Sequence, residues 1–374
     1  MYIIKLKIIF LFFVKVNISS GIIVMIQSTI RHSHRYPANS SFGELYYPND
    51  PNANLDYWPN GPMELTNIGK LNAYNLGIYF HKQYENLFNI PFKNSRVYFQ
   101  ASKSSRTINT AQLIAAGLFK PNNNLQVWNE NLPWLPVPIY TQPIFNDTLF
   151  YPMVLCENYF NDRINGEIQV ERILKNLQIV NDFRQFLTLH TGLNYTKSNQ
   201  PWMLYHHFAA QKAMGIVLEP WIDNIFPDGM LKDMSSIEYI LQTYTKKMQR
   251  LMGGVWLKKF IENSDNFINN RFKKVGYFYF GNEIHIAAIL NTIGVYEPHV
   301  PDFLSTIIFE LHLLNDKYFV KMIYKNGKNI QELLVPGCKF ILCPLELYKT
   351  VLKNSILENF DKDCGKKGLY PVIQ

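Results

Sequence analysis

The feature of this sequence that most constrains its fold is an almost continuous apolar run that ends in a basic cluster. Residues 22–30 (IIVMIQSTI) are rich in β-branched side chains and lead directly into RHSHR at residues 31–35. A run without polar alternation predicts a strand buried on both faces, as in a parallel sheet. Polar groups at the carboxyl end of such a strand lie where open α/β sheets bind ligands. We therefore expect an α/β protein whose functional site directly follows this strand.

Further strand and helix patterns follow in an order that is typical of α/β proteins. We predict a helix from about Thr66, a strand at 96–99, a helix at 107–118, a strand at 275–280, a helix at 284–293 closed by Gly294, and a hairpin with strands at 307–313 and 318–324. This order predicts a three-layer α/β/α core with a mainly parallel sheet.

A helical region interrupts this core. Apolar residues have helical spacing within 170–180 and within 237–251. Ser235 and Glu238 match a capping box, and the glycine pair at 253–254 matches a helix stop. We interpret the region as a cap over the core. The predicted domains are a signal peptide at 1–20, an α/β core at 21–135 and 255–374, and a mostly helical cap at 136–254.

The first 20 residues have the features of a secretory signal. Lys5 and Lys7 precede an apolar run at residues 8–14, and smaller, more polar residues follow it. This run is too short to cross a bilayer, which needs about 20 apolar residues. No later stretch is long and apolar enough to be an anchor. We expect a soluble mature chain with no membrane span, secreted or in the lysosomal lumen.

Cysteines and glycosylation sequons agree with that route. An even number of cysteines is expected to pair in an oxidising compartment. The four cysteines are Cys156, Cys338, Cys343 and Cys364, and the acceptor sequons outside the signal begin at Asn39, Asn146 and Asn194.

Composition and net charge limit the classes of partner that this chain can bind. Hydrophobic residues make up 47% of the chain and charged residues 18%, which is typical of a globular protein and excludes a disordered one. The formal net charge of +8 is compatible with phosphate ligands, but the basic residues are scattered and form no long run. We therefore predict no nucleic-acid partner.

Arg31, His32 and Arg35 are the candidate chemical groups, because they place one imidazole between two guanidiniums. Arginine grips phosphate oxygens with two parallel hydrogen bonds and stays charged, and a neutral histidine can attack phosphorus. Two arginines held close together repel each other unless an anion neutralises them. Taken alone, the motif is more often a surface turn with solvated charges.

The wider sequence resembles a known family. Residues 31–37 resemble the R-H-G-x-R-x-P signature of the histidine acid phosphatases, the branch of the histidine phosphatase superfamily that includes prostatic and lysosomal acid phosphatases. Similar segments follow in the family's order: Trp58-Pro59-x-Gly61, Leu65-Thr66-x-x-Gly69, Leu76-Gly77, Tyr84, Arg106-Thr107, Ala111-Gln112, Ala116-Gly117-Leu118, Trp134-x-Pro136-x-Pro138, Leu218-x-Pro220-Trp221, Pro336-Gly337-Cys338 and Cys343-Pro344-Leu345. The resemblance implies a histidine phosphatase or phosphoglycerate mutase-like fold without metal or cofactor.

The resemblance also implies a mechanism. His32 would be the nucleophile that forms a phosphohistidine intermediate. Arg31, Arg35 and Arg106 would bind the three non-bridging oxygens of a phosphate monoester, or of inorganic phosphate. The family completes this site with a His-Asp pair after a later strand, in which the His binds phosphate and the Asp protonates the leaving alcohol.

This chain departs from the family at that pair, because Asn282 replaces the His and Glu283 replaces the Asp. Glu283 can still serve as the acid, and related inositol-phosphate phosphatases use a Glu in this region. Asn282 cannot carry positive charge. Losing such a donor from an oxyanion site costs on the order of 2–4 kcal/mol, or about 10²–10³ in rate.

Smaller departures and isolated histidines complete the set of candidates. Ser33 replaces a Gly after the nucleophile, which adds a Cβ to a tight turn, and Lys103 in the segment before Arg106 is expected to be solvated. His285 is predicted to be a packed or capping residue. The pair His206-His207 is predicted to be structural or on the surface.

Three functions follow from these residues. The first is an acid phosphatase weakened by Asn282, and the second is a pseudo-phosphatase that acts as a secreted binding protein. The third is a phytase-like or phosphomutase-like member. Assembly into a homodimer is left open. The family's cysteine positions imply two disulfides, Cys156–Cys364 and Cys338–Cys343.

Overall fold

The computed structural model describes residues 21–37, 47–53, 59–121, 126–197 and 200–371. The predicted signal peptide, the Asn39 sequon and Trp58 lie outside these residues. The other two sequon asparagines, Asn146 and Asn194, are exposed. No described helix is both long and apolar enough to cross a bilayer.

Seven strands form one sheet. They are β1 Ile22–Arg31, β2 Val97–Ala101, β3 Gly276–Gly281, β4 Thr306–Leu314, β5 Lys317–Asn326, β6 Asn329–Leu333 and β7 Cys343–Pro344. The strand order is β2-β3-β1-β4-β5-β6, and β7 pairs with β5. The pairs β2–β3 and β1–β3 are parallel, and all other pairs are antiparallel.

The α/β class is confirmed, with one correction: the sheet is mixed rather than mainly parallel. The predicted hairpin is present as β4 and β5, with Asn315 and Asp316 at positive φ in its turn. This hairpin extends the sheet in the antiparallel direction from β1. The apolar run of β1 indicates that the strand is buried on both faces, but it does not indicate whether the neighbouring strands run parallel or antiparallel to it.

Helices surround the sheet. They are α1 Asn67–Gln83, α2 Glu85–Phe88, α3 Ser105–Leu118, α4 Pro152–Leu155, α5 Glu157–Leu174, α6 Gln178–Thr191, α7 Gln200–Ala213, α8 Met230–Leu241, α9 Lys246–Gln249, α10 Val255–Ile268, α11 Glu283–Ile293, α12 Leu345–Val351 and α13 Phe360–Cys364. Short 3₁₀ turns occupy Ile144–Asn146, Pro220–Ile222 and Lys353–Ser355, and Arg250–Gly254 is π-helical.

The two faces of the sheet carry separate apolar clusters. Ile26 and Phe278 point to the face covered by α1 and α3, whereas Met25 and Tyr279 point to the face covered by α10, α11 and α12. Successive side chains of a strand alternate between faces, so a strand covered on both sides must be apolar throughout. This arrangement gives the predicted three layers.

The region between α4 and α9 contains helices, and a third apolar cluster lies mostly among α6, α7 and α8. The predicted end of the cap at residue 254 falls inside a continuous helical stretch, because α9, the π-helical turn and α10 follow one another without a break. The division into core and cap stays a prediction.

Two local interpretations in this region are wrong. Helix α8 begins at Met230, so Ser235 and Glu238 lie inside it, and the Ser235 hydroxyl donates to the Leu231 carbonyl. Gly253 does not stop a helix, because the π-helical turn that contains it continues directly into α10. A Cβ at Gly253 would lie 2.4 Å from the Ala288 carbonyl oxygen of α11. The glycine pair is required for close packing against neighbouring backbone.

Both predicted disulfides are confirmed. Cys156 and Cys364 join the start of α5 to the end of α13 across 208 residues, with their Cα atoms 4.6 Å apart. Cys338 and Cys343 close a short loop before α12, with a Cα separation of 5.6 Å. Both separations lie within the range that disulfides adopt.

A buried carboxyl group lies just before α4. Asp147 Oδ1 accepts the backbone N–H groups of Leu149 at 3.3 Å and Phe150 at 3.0 Å. Its Oδ2 has no hydrogen-bond partner among the described residues. Burial raises the pKa of Asp147 to about 6, against the smaller lowering effect of the two backbone hydrogen bonds. The folded state therefore binds this proton more tightly than the unfolded chain does.

A carboxyl with a raised pKa loses stability as pH rises from its unfolded to its folded pKa, here from about 4 to about 6. The quantity of interest is the free energy of unfolding of Asp147→Asn minus that of the wild type. We expect this difference to be more favourable to the variant by about 1–2 kcal/mol at about pH 7 than at about pH 4. Urea unfolding at both pH values measures this difference. A constant cost of burying the new amide cancels in the comparison. An equal effect at both pH values would contradict the assignment.

Candidate active site

The predicted site residues meet at one edge of the sheet. Strands β1, β3 and β2 run parallel, so their carboxyl ends lie together. His32 follows β1, and Asn282 and Glu283 follow β3. Arg106 lies in the first turn of α3, after β2. Together with Arg35, these residues line a cavity of about 390 Å³.

His32 lies at the base of this cavity and is 2% exposed. Its Nδ1 lies 2.9 Å from the Ser33 carbonyl oxygen, which can only accept a hydrogen bond. Nδ1 therefore carries the proton, and Nε2 keeps its lone pair. Burial lowers the pKa of His32 well below its ordinary value, and the charges of Arg106, Arg31 and Arg35 lower it further. This environment favours the neutral imidazole, which is the form that can attack phosphorus.

Arg31 is held behind the cavity wall by protein groups. Its Nε lies 3.0 Å from Glu283 Oε2, Nη1 donates to the Pro301 carbonyl at 2.5 Å, and Nη2 lies 3.3 Å from His206 Nδ1. The guanidinium also stacks on the Phe303 ring at 4.3 Å. These contacts fix its orientation beside His32.

Arg35 and Arg106 line the cavity itself. Arg35 is 3% exposed, and its Nη1 donates to the Tyr36 carbonyl at 3.0 Å. Arg106 is half-buried at the N-terminal end of α3, where the helix dipole also favours an anion. The two guanidiniums and this helix end make the cavity attractive to phosphate.

Glu283 is the first residue of α11 and is buried. Burial alone would raise the pKa of its carboxyl, but nearby positive charge, foremost that of Arg31, holds that pKa well below its ordinary value. Glu283 is therefore an ionised carboxylate in this state. It can donate a proton only after its pairing with Arg31 is weakened.

Asn282 lines the cavity beside Glu283. Its backbone N–H donates to His285 Nδ1 at 3.0 Å, so the His285 side chain caps the start of α11. His285 Nε2 lies 3.0 Å from the Phe150 carbonyl oxygen, so it must donate there. His285 is thus a packed residue at the start of α11, as predicted.

The two smaller departures do not disturb the site. Ser33 is not among the described residues with positive φ. Its buried hydroxyl donates to the Gly69 carbonyl at 2.7 Å, and its backbone N–H donates to Thr110 Oγ1 at 3.1 Å. The turn therefore accommodates the added Cβ. Lys103 is exposed, as predicted for a solvated residue.

Sequence analysis missed the residues that α7, α8 and the C-cap of α8 add to the site. Trp202, Met203, Glu238 and Gln242 line the cavity. His206 is buried against Arg31 and Glu283, and the equally buried His207 pairs with Asp50, so neither histidine lies on the surface. No spacing in the sequence relates these positions to residues 31–35, which lie about 170 positions or more away.

Apart from the charged groups at its base, the cavity wall is largely apolar. The apolar and aromatic lining residues are Met63, Ile144, Phe150, Tyr151, Met153, Val154, Trp202, Met203 and Ile284. The carboxylate of Glu238 also lines it and pairs with Arg163 at 2.7 Å. Among the described residues, no group of three or more His, Cys, Asp or Glu side chains is arranged to hold a metal ion.

Comparison with known proteins gives consistent matches. The family model for the histidine phosphatase superfamily (branch 2) matches residues 16–144 and 156–325. The venom acid phosphatase Acph-1 of Apis mellifera is 32% identical over 347 residues, covering 90% of this chain and 86% of that protein. The prostatic acid phosphatase of Bos taurus is 28% identical, covering 92% and 88%.

Solved structures agree on the fold. The phytase of Klebsiella sp. ASR1 superposes with a TM-score of 0.68 at 14% identity, covering 90% of this chain and 96% of that chain. The Hafnia alvei phytase in complex with tartrate gives a TM-score of 0.65 at 16% identity, covering 94% and 100%. At these identities the likeness concerns the fold alone.

Proposed function

The chain belongs to branch 2 of the histidine phosphatase superfamily, and on that premise we propose that it is an acid phosphatase acting on phosphate monoesters. The observation that carries the proposal is the state of His32: a buried neutral imidazole, protonated on Nδ1, beside three arginines. A surface turn with solvated charges would have none of these features.

In the proposed reaction, His32 Nε2 attacks phosphorus and forms a nitrogen–phosphorus bond as the bond to the leaving oxygen breaks. Arg35 and Arg106 each bind a non-bridging oxygen of the phosphoryl group from within the cavity. Arg31 binds the third non-bridging oxygen from its position behind the cavity wall. Water then attacks the phosphohistidine, which releases inorganic phosphate and restores His32. Protonation of the leaving alcohol is assigned to Glu283.

The ionised state of Glu283 suggests why the proposed reaction would be favoured at acid pH. A phosphate monoester in mildly acidic solution is largely a monoanion that carries one proton. When its oxygens engage Arg31, they compete with Glu283 for the same guanidinium, and the pKa of Glu283 rises. We propose that the carboxylate then takes up the substrate's proton and passes it to the leaving oxygen.

The cavity also supports a substrate class. Its wall beyond the arginines is largely apolar and aromatic, and the lining residue Glu238 is paired with Arg163, so it adds no cation. Inositol hexakisphosphate would bring five additional phosphates into a site with no additional Lys or Arg among its described lining residues. We therefore favour monoesters of compact phenols and apolar alcohols, and we disfavour the phytase-like alternative.

We expect the protein to hydrolyse nitrophenyl phosphate at acid pH with a kcat/KM at least about 10²-fold above that for inositol hexakisphosphate, because unneutralised like charges cost several kcal/mol. Phosphate release from both substrates at equal concentration measures the ratio. Comparable rates on both substrates would contradict the substrate class. Vanadate, an analogue of the pentacoordinate state, should inhibit the reaction.

The second candidate is a secreted pseudo-phosphatase, and Asn282 is the observation that favours it. In that case vanadate would still bind through Arg35, while no substrate would turn over. Vanadate titration of the wild type and of Arg35→Ala, read by protection against thermal unfolding, separates the two candidates. Binding without any turnover would establish the binding protein.

We also propose that the protein is secreted or lysosomal. Two disulfides and the exposed sequon residues Asn146 and Asn194 support passage through an oxidising compartment, with glycosylation at Asn39, Asn146 and Asn194.

A further inference from the structure

A histidine from helix α7 lies directly behind the reacting groups. His206 is 1% exposed, its Nδ1 lies 3.3 Å from Arg31 Nη2, and its Nε2 lies 3.5 Å from Glu283 Oε1. We propose that His206 is a positioning residue that holds the Glu283 carboxyl in the geometry for proton transfer to the leaving group. This inference rests on the proposed phosphatase function.

The partners of His206 determine its protonation. A guanidinium can only donate hydrogen bonds, so Nδ1 must accept from Arg31 Nη2. The imidazole is then neutral, with its single proton on Nε2. That N–H donates to the Tyr239 hydroxyl at 3.0 Å, and Glu283 Oε1 lies 3.5 Å from the same nitrogen, which is a contact rather than a hydrogen bond. His206 therefore lies between the guanidinium and the carboxylate.

The ring is itself fixed from α8 and α7. The Tyr239 hydroxyl accepts a hydrogen bond from Trp202 Nε1 at 3.0 Å, and the Trp202 ring packs edge-on against His206 at 5.1 Å. Tyr205, the preceding residue, packs edge-on from the other direction at 6.2 Å. The ionisable side chains of Arg31, Glu283 and Tyr239 contact the imidazole. A ring held in this way is a rigid support.

The support matters at the moment when substrate arrives. In the proposed reaction the phosphate draws Arg31 away from Glu283, and the carboxyl loses its strongest partner. The freed carboxyl can then close the 3.5 Å gap to His206 and accept its Nε2–H at Oε1, which leaves Oε2 as the oxygen that carries the proton to the leaving group. Without His206, Glu283 would keep its chemistry and lose its orientation.

The leaving group provides the readout. Nitrophenolate leaves without help from an acid, whereas an alkoxide needs a proton as the bond breaks. General acid catalysis contributes about 10²–10⁴-fold where it is needed. We expect His206→Phe, which removes both ring nitrogens, to lower kcat on ethyl phosphate by about 30-fold or more and on nitrophenyl phosphate by about three-fold or less.

His207→Phe is the matched control. His207 is the next residue of α7 and is equally buried, but its Nε2 pairs with Asp50 at 2.7 Å. This variant should be destabilised while its ratio of ethyl to nitrophenyl phosphate turnover stays at the wild-type value. A generic defect in packing α7 would change both variants alike.

Two amide variants keep the test decisive if His206→Phe does not fold. The amide of His206→Gln can reach the position of Nε2 and donate to Glu283, whereas that of His206→Asn is limited to the position of Nδ1. We expect Gln to restore turnover of ethyl phosphate and Asn not to.

Equal losses on both substrates, or equal rescue by Gln and Asn, would overturn the positioning role while leaving the phosphatase intact. A wild type that turns over neither substrate would overturn the proposed function, and this inference with it.

Discussion

Replacing His32 with alanine is expected to lower kcat for nitrophenyl phosphate by about 10⁴-fold or more, because it removes the proposed nucleophile of the covalent step. The same variant should still bind vanadate, since Arg35 and Arg106 line the cavity independently of the imidazole. Steady-state turnover and vanadate titration by thermal shift measure the two properties. We expect a large loss in the first and a small change in the second.

The matched control is His34→Ala. His34 is two residues away, packs against Phe303 with the ring centres 4.7 Å apart, and is not among the residues that line the cavity. It should retain most of the wild-type turnover. If His32→Ala kept more than a few per cent of wild-type activity while remaining folded, His32 would not be the nucleophile.

Asn282→His is expected to raise kcat at acid pH by about tenfold or more, because it restores a charge-assisted donor to an oxyanion site. The gain should appear mainly in kcat, since added charge matters most when the transferring phosphoryl group is most negative. The neighbouring arginines disfavour a charged imidazole, so the gain should fall as pH rises. A pH series of kcat for both proteins measures it.

The imidazole ring of the Asn282→His variant has room only on the side of the cavity. A Cβ on Gly281 would lie 2.5 Å from His285 Nδ1, so the backbone beside Asn282 is closely packed. The imidazole must therefore enter the cavity, which has a volume of about 390 Å³. Asn282→Gln is the control for volume without charge, and it should show no gain. An increase of equal size in both variants would contradict the electrostatic account.

The sequence predicted the part of the site that local patterns encode. The motif at 31–35 follows the buried strand at 22–30, and the segment at 279–285 ends a second buried strand. These two strands are parallel neighbours, so the convergence of the two segments follows from topology. The hairpin turn at Asn315 and the helix start near Thr66 are likewise local features, and both are present. The family resemblance supplied the two disulfides.

Contacts between distant segments could not be predicted in this way. His206 reaches Arg31 because α7 packs over the sheet edge, and nothing near residue 206 in sequence signals that neighbour. Gly253 was misread as a helix stop, since the sequence does not show which backbone approaches it. The mixed sheet was misread because burial of β1 on both faces is the same beside parallel and antiparallel neighbours.

The pairing of Glu283 with Arg31 is a further finding that required the structure. The sequence places a carboxyl where an acid belongs, but the 3.0 Å contact with Arg31 keeps it ionised until substrate arrives. The proposed enzyme therefore couples binding of the phosphate to protonation of its own acid.

The central claim is that phosphate is transferred to His32, and trapping the intermediate tests it most directly. The protein would be mixed with radiolabelled nitrophenyl phosphate, quenched in alkali within one turnover, digested and analysed by mass spectrometry. Phosphohistidine survives alkali and is lost in acid, so the label should be acid-labile, reside on the peptide containing His32, and be absent from His32→Ala. Active protein that carries no label, or a label that persists in His32→Ala, would contradict the account.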